Sequence, residues 1–297
     1  SDELSKVGFE DQTEASLRIL TEEVVKSSEI EGEFLDPAKV RSSIAQKLGL
    51  AIGGLQKEDR NVDGIVAVVL DATQNCYEPI SAERLYSWHA ALFPLGYSGT
   101  HKISVAQWRD DRNGPMQVVS GPYGNFKVHF EAPNYLRIQL EMENFILWLE
   151  EEKIMDPLLK AGIAHFYFIT LHPFDDGNGR IARAIADLTL ARADKMKQRY
   201  YSMSAQIKID RKAYYDTLEF SQKGTLDITS WLEWFLKCLT SAIQGADVTL
   251  KDILQKARVW QHLNAYDVNE RQRKLLNTLL DGTFFGDLNS RRNPDTK

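Results

Sequence analysis

Apolar residues recur at helical spacing over most of this chain, and alternating runs are confined to one short region. Between residues 12 and 31, Ala15, Ile19, Leu20, Val24 and Ile30 form an incomplete helical stripe, with Glu14, Glu22 and Glu23 expected on its wet side. Asp36-Pro37 is an N-cap and first-turn pair, and the helix it opens is expected to reach Leu48 before Gly49 stops it. Residues 51–55 read as a loop, followed by two scaffold helices over 59–72 and 81–93, the second starting at the N-cap Ser81. From Pro94 to Pro133 the helical pattern breaks, punctuated by Gly96, Gly99, Gly114, Gly121 and Gly124. Two short runs remain there, 116–120 and 126–130, and they predict a β-hairpin across a glycine-rich connection. An amphipathic helix over 134–151 precedes one that starts at Asp156-Pro157 and is apolar enough to be buried all round. Beyond it Ile181, Ile185 and Leu188 mark another helix, Asp210 caps one that ends near Gly224, and Asp227-Ile228-Thr229 starts the next. Asn269 caps a last helix reaching Leu280, ended by Asp281-Gly282, and residues 289–297 have the composition of a disordered tail. The fold class is therefore mainly α with one small hairpin.

Composition narrows the partners. The 297 residues carry a net charge of −6, which argues against nucleic acid as the main partner and against a basic membrane-binding surface. The longest apolar runs are too short to span a bilayer, and the acidic N-terminus lacks the features of a signal peptide. Cys76 and Cys238 lie far apart, form neither a disulfide framework nor a zinc spacing, and fit a reducing cytoplasm.

The chemistry concentrates in residues 171–183, a tight loop between the buried helix and the next. Gly177 and Gly179 flank Asn178 and let backbone N–H groups turn inward at a helix start, where orphan donors and the dipole favour an anion. Arg180 and Arg183 are three apart on that helix and share a face, adding two permanent charges with forked donors suited to phosphate. Asp176 is a hard oxygen ligand of the kind Mg²⁺ takes when it also binds substrate phosphates. His172 closes the preceding helix and is the obvious general base, while Phe174 is expected to anchor the loop in the core.

The run 172–183 matches every fixed position of the His-Pro-Phe-x-Asp-Gly-Asn-Gly-Arg-x-x-Arg signature of the Fic family, so the chain resembles a Fic enzyme. The resemblance implies a Fic-type helical bundle and transfer of AMP from ATP to a protein hydroxyl, with pyrophosphate leaving. It implies that His172 deprotonates a target Ser, Thr or Tyr and that Asp176 holds Mg²⁺ between the α- and β-phosphates. Asn178 and the amides of Gly177 and Gly179 would bind those phosphates, Arg180 would support them, and Arg183 would address the γ-phosphate.

Three further assignments follow from the same resemblance. Ser27-Ser28-Glu29-Ile30-Glu31-Gly32 fits the Ser/Thr-x-x-x-Glu-Gly/Asn inhibitory motif of Fic proteins. Glu31 is then expected to pair with Arg183 and occupy the γ-phosphate position; the alternative is a helix end at Gly32 with Glu31 in solvent. Val118, Val119 and Ser120 of the hairpin are expected to dock an extended target peptide, against the alternative of a structural hairpin over the core. Tyr215 and Leu218 are candidate adenine contacts, with plain core packing equally open. His89 and His165 are expected to be core histidines, and nothing in the spacing of His101 and His129 suggests a metal pair.

The expected organisation is an N-terminal helical region with the inhibitory helix over 1–92, a catalytic core with its flap over 93–245, and a C-terminal segment over 246–297. That last segment resembles the opening of a winged helix-turn-helix with no recognition helix, so DNA is not expected as a partner. The expected partners are ATP and a protein substrate, with self-AMPylation and a homodimer as arrangements the family allows. Two other functions remain open: removal of AMP from a modified protein, with Glu31 orienting a water, and a non-enzymatic nucleotide-binding regulator.

Overall fold

The computed structural model describes residues 9–50, 56–57, 59–112, 114–121, 126–195 and 200–263, together with 269, 271–272, 275–276 and 279. The expected loop at 51–55, Gly124, the stop at 281–282 and the tail at 289–297 lie outside the described residues. The chain divides into two compact units, one of Ser16–Ala246 and one of Ser1–Ala15 with Asp247–Lys297.

In chain order the described elements are α1 (Phe9–Ile30), α2 (Pro37–Lys47), α3 (Arg60–Gln74), α4 (Ala82–Leu92), β1 (Tyr97–Ser98), β2 (His101–Lys102), β3 (Gln117–Ser120) and β4 (Lys127–Glu131). There follow α5 (Tyr135–Glu151), α6 (Pro157–Leu171), α7 (Asn178–Asp194), α8 (Met203–Ile209), α9 (Arg211–Lys223) and α10 (Thr229–Leu263). The mainly α expectation holds, and most helix starts fall on the residues that chemistry marks for them. Asp36, Asp59, Ser81, Asn134 and Asp156 each cap a helix by accepting backbone N–H bonds with the side chain. Asn269 and Gln272 exchange side-chain and backbone bonds in the reciprocal manner of a capping box. The pair β1–β2 and the helix α8 were not foreseen, being too short to show a period.

The core of the Ser16–Ala246 unit is built around α6 and α7, which pack along each other and against α3, α5 and α8. Nearly all of α7 from Asn178 to Ala191 is buried, although it contains Arg180, Arg183, Asp187 and Thr189. A buried unpaired charge costs several kcal/mol, so α7 obliges neighbouring elements to bring partners for its arginines. After Asn178 and Gly179 its remaining buried positions are aliphatic, including Ala182, Ala184, Ala186 and Ala191, and the small ones let neighbouring helices approach closely.

The hairpin forms where expected. Antiparallel β3 and β4 pair Gln117 with Glu131 and Val118 with Phe130, then Val119 with Val128 and Ser120 with Lys127. The register shift between Val118 and Val119 leaves His129 as the extra residue, and such a bulge re-aims the side chain it carries.

One expectation about α1 fails. Glu23 is not on a wet face but 3 % exposed, with its carboxylate accepting from the Ser202 hydroxyl at 2.7 Å and the Ser204 N–H at 3.1 Å. The carboxylate thus satisfies orphan donors at the start of α8. The stripe on α1 looked incomplete because the helix is buried on polar as well as apolar faces, with Ser16, Ser27 and Ser28 also inside.

Candidate functional site

Residue 172 ends α6 in the left-handed conformation (φ 50°, ψ 56°), and the strain of that geometry for a non-glycine residue is held by the surrounding loop. Its Nδ1 lies 3.2 Å from the Ile169 carbonyl, which can only accept, so the proton sits on Nδ1 and Nε2 is left to accept one. Burial lowers the His172 pKa and the Arg109 charge adds to this, so the ring is neutral and able to act as a base.

Arg109 is the residue that fixes this histidine, and sequence reading missed it. Only 3 % exposed, it donates from Nε to the His172 carbonyl at 2.8 Å, and its backbone N–H donates to Pro173 O at 2.8 Å. The rest of its guanidinium reaches Asp111 and the Pro133 carbonyl, tying the base of the hairpin to the loop. The absence of periodicity between Pro94 and Pro133 hid it; a lone arginine in such a stretch carries no signal.

The loop itself is anchored by Phe174, which is fully buried and stacks on His89 with ring centroids 4.2 Å apart and planes 11° from parallel. His89 is a core histidine, its Nδ1 accepting from Ala106 N–H at 3.2 Å and its pKa lowered by burial to about 4. The Asn178 side chain staples the loop, accepting from Phe174 N–H at 3.0 Å and donating to Phe174 O at 2.8 Å. Gly177 takes φ 79°, and a Cβ there would lie 2.8 Å from Phe93 Cε2, so both backbone and space require glycine. Asp176 accepts from Gly177 N–H at 2.5 Å and from the Ser98 hydroxyl, while Asp175 accepts from Ser104 N–H at 2.8 Å.

Beyond the loop, Arg183 binds the last turn of α1 and the residue that follows it. Its Nε donates to Ser27 Oγ at 3.0 Å, Nη2 to Ser27 O at 2.9 Å, and Nη1 to Glu31 Oε1 at 2.8 Å. Burial opposes the Arg183 charge, but Glu31 outweighs it and raises the pKa. The Glu31 carboxylate rests on Gly179, where a Cβ would come within 2.2 Å of its Oε1. Glu31 thus pairs with Arg183 as expected, and the alternative that leaves its carboxylate in solvent is set aside.

The end of α1 explains why it docks here. Its last carbonyls carry the negative end of the helix dipole and need donors. Ser27 O is taken by Arg183, Glu29 O by Lys208 Nζ at 2.9 Å and Ile30 O by Arg211 Nε at 2.9 Å. Ser28 O accepts from Glu31 N–H at 3.1 Å and Glu33 N–H at 3.0 Å, closing the helix around Gly32 at φ 85°. Beyond Gly32, Glu33 Oε2 accepts from Arg180 Nη1 at 2.8 Å, a pairing the motif did not announce.

Residues 79–190 match the Fic/DOC family, and residues 2–50 match a domain of unknown function, DUF4172. The first match holds the whole histidine-to-arginine loop just described. The chain contains a Fic/DOC family domain. It is 42% identical over 115 residues to protein adenylyltransferase fic-1 of Caenorhabditis briggsae, covering 38% of this chain and 21% of that protein. With the Caenorhabditis elegans protein of the same name it shares 39% identity over 126 residues, covering 41% and 23% of the two chains. The matched part thus spans about a fifth of the length of these curated relatives. The fold is shared with a Fic family protein from Desulfovibrio desulfuricans G20, with TM-score 0.59, 21% identity, and coverage of 82% of this chain and 68% of that one. A Fic domain containing signaling protein from Bacteroides thetaiotaomicron VPI-5482 matches with TM-score 0.58, 19% identity, and coverage of 83% and 93%.

Around the Fic loop the other expected residues fall on two elements. Val118 is partly buried and Val119 and Ser120 are exposed on β3. The Ser120 hydroxyl meets His129 Nε2 at 2.5 Å, and His129 Nδ1 meets Glu219 Oε2 at 2.5 Å, so the flap is fastened to α9. That helix also carries Tyr215, partly buried beneath the Arg211 guanidinium at 5.0 Å, and Leu218, 5 % exposed within the core. His165 bonds the Tyr214 hydroxyl at 3.0 Å through Nε2 and is a core histidine, its pKa lowered by burial to about 3. Among the described residues no group of three His, Cys, Asp or Glu could by itself hold a metal, and no helix is long and apolar enough to cross a membrane. A single hard carboxylate at Asp176 suits an ion that arrives with a nucleotide and draws its other ligands from phosphate and water.

Proposed function

We propose that this Fic protein transfers AMP from ATP, with Mg²⁺, to a Ser, Thr or Tyr hydroxyl of a target protein, and that Glu31 restrains the reaction. The name adenylyltransferase borne by its relatives supports the activity. One observation carries the reading: the N-terminus of α7, a positive dipole end with two buried arginines, already holds an anion of the chain's own, Glu31, on Gly179.

In the reaction, His172 Nε2 takes the proton of the target hydroxyl as that oxygen attacks the α-phosphorus. The bond from the α-phosphorus to the oxygen bridging it to the β-phosphate breaks, and pyrophosphate leaves. Catalysis is mainly positioning and charge neutralisation. Backbone N–H groups around Gly177 and Gly179 hold the phosphates, Arg180 supports them and Arg183 binds the γ-phosphate. Asp176 would hold Mg²⁺, which would supply neutralisation of phosphate charge. With Asn178 engaged by Phe174, its part is to shape the cradle that presents the neighbouring amides. Tyr215 and Leu218 form the wall for adenine, and Val118, Val119 and Ser120 pair with the target's main chain. The free, buried Cys76 and Cys238 suit a reducing cytoplasm.

Inhibition follows from charge. A γ-phosphate brought within ~4 Å of Glu31 would be repelled by about 4 kcal/mol at an effective dielectric constant near 20, while three of the Arg183 donors are already bonded to Ser27 and Glu31. The test is transfer of labelled AMP from ATP, including self-labelling, in wild type, Glu31→Gly, and Glu31→Gly with His172→Ala. The expected order is weak, strong and none. No labelling by Glu31→Gly overturns the proposal, and release of AMP from a modified protein by wild type, lost in Glu31→Gly, would assign the reverse reaction instead.

A further inference from the structure

We infer that the inhibitory segment closes the site with two carboxylates, and that Glu33 is the second, clamping Arg180 as Glu31 clamps Arg183. The inference rests on the reading of Arg180 as a phosphate ligand. The two contacts are alike in chemistry: Glu33 Oε2 to Arg180 Nη1 and Glu31 Oε1 to Arg183 Nη1 are both 2.8 Å. Each joins a carboxylate two residues from the other to an arginine on the same face of α7.

The backbone between them is what makes both reachable. Gly32 takes φ 85°, and the N–H groups of Glu31 and Glu33 both donate to Ser28 O, so the turn projects two acidic side chains onto one helix start. A residue with a Cβ at position 32 would be strained in that conformation. Arg180 in turn has little else to hold it. Its side chain is 6 % exposed, its Nε has no partner among the described residues, and its guanidinium lies over the Phe93 ring at 5.0 Å. The position of the Arg180 charge therefore depends on Glu33, and a phosphate arriving there must displace it.

The two clamps differ in exposure. Glu33 is 49 % exposed at its side chain and Glu31 31 %, while Arg183 has two further bonds to Ser27. Water screens the outer pair more, so Glu33 is the weaker restraint and the one an incoming nucleotide opens first. Half of the Glu-Gly-Glu sequence matches a known inhibitory pattern; the structure assigns the other half to the same task, inside the segment whose family has no assigned function.

The experiment compares wild type, Glu33→Gln, Glu31→Gly and the double variant, reading the Kd of ATP with Mg²⁺ by calorimetry and the KM and kcat of self-labelling. Glu33→Gln is expected to tighten ATP by about three- to fivefold, the scale of a half-exposed ion pair. The double variant should exceed Glu31→Gly by a similar factor. The change should fall on KM for ATP more than on kcat, and should shrink at high salt, which a purely structural contact would not do. Tightening by Glu31→Gly with none from Glu33→Gln in either background overturns the second clamp alone. No tightening by any variant overturns the clamp together with the proposed inhibition on which it rests.

Discussion

Gly177 offers a direct physical test of the proposed phosphate cradle, because two separate costs meet there and a second glycine isolates one of them. In Gly177→Ala the backbone must keep φ 79° with a Cβ, which costs about 1–2 kcal/mol. The new methyl would also stand 2.8 Å from Phe93 Cε2 and 3.3 Å from Leu92 Cδ1, in a packed corner where overpacking adds about 1–3 kcal/mol. Gly96 has a matching φ of 75° and no atom within 4 Å of the position its Cβ would take. Gly96→Ala therefore bears the conformational cost alone. Urea unfolding of both variants should place Gly177→Ala below Gly96→Ala by about the overpacking term.

The functional consequence follows from what Phe93 supports. Its ring lies beneath the Arg180 guanidinium at 5.0 Å, so a displaced ring removes the surface on which the arginine, held by Glu33, rests. In the Glu31→Gly background, labelling by Gly177→Ala should fall at least about tenfold, the scale set by a small misplacement of reacting groups, whereas Gly96→Ala should stay near its parent. Equal stability losses, within about 0.5 kcal/mol, would refute the steric argument. Unchanged labelling by Gly177→Ala would refute the claim that this turn shapes the phosphate site.

Three other outcomes are expected. Ser27→Ala removes the 3.0 Å bond from Arg183 Nε but leaves the donors to Ser27 O and Glu31, so self-labelling should rise about tenfold, the worth of one hydrogen bond to a charged group, and stay below that of Glu31→Gly; a silent substitution would count against the hydroxyl's part. Arg109→Leu in the Glu31→Gly background should cost labelling at least about tenfold by freeing the His172 backbone while nucleotide affinity, measured by calorimetry, survives; parallel loss of both would make Arg109 a folding residue only. Acid should destabilise the protein through His165 and His89: below pH about 6.5 the unfolded chain binds protons that the folded rings refuse until about pH 3 and about pH 4, so stability is full above that range and falls as pH drops. Between pH 6.5 and 5 the loss should be about 2 kcal/mol per histidine in urea unfolding, and His165→Gln should remove about half of it.

Much of the fold was legible because local signals were strong. Asp36, Asp59, Ser81, Asn134 and Asp156 stand where caps are required, and the cradle's residue types admit few other uses. What escaped was non-local. Glu23 has the spacing of a surface residue, and only the folded chain brings Ser202 and Ser204, about 180 positions away, to satisfy it. Arg109 lies in a segment without period, and its importance comes from carbonyls of residues 133 and 172. The bulge that turns His129 toward Ser120 and Glu219 is invisible to a two-residue alternation, which marks a strand without its irregularities.

The association of α1 with the loop can be argued one step further from charge alone. Arg180 and Arg183 must be largely buried to present their donors at the start of α7, and burying either without a partner would cost several kcal/mol. A site designed to receive an anion is therefore unstable when vacant unless something anionic fills it. The end of α1 supplies two carboxylates and the partial negative charge of its carbonyls, the latter also answered by Lys208 and Arg211. Stability of the resting protein and the proposed restraint of its activity then share one cause. Loss of Glu31 should accordingly lower the melting temperature of the ligand-free protein while raising the gain that ATP with Mg²⁺ confers, since the nucleotide takes over the neutralising role. A Glu31→Gly variant at least as stable as wild type without nucleotide, and no more responsive to it, would separate the two and break this link.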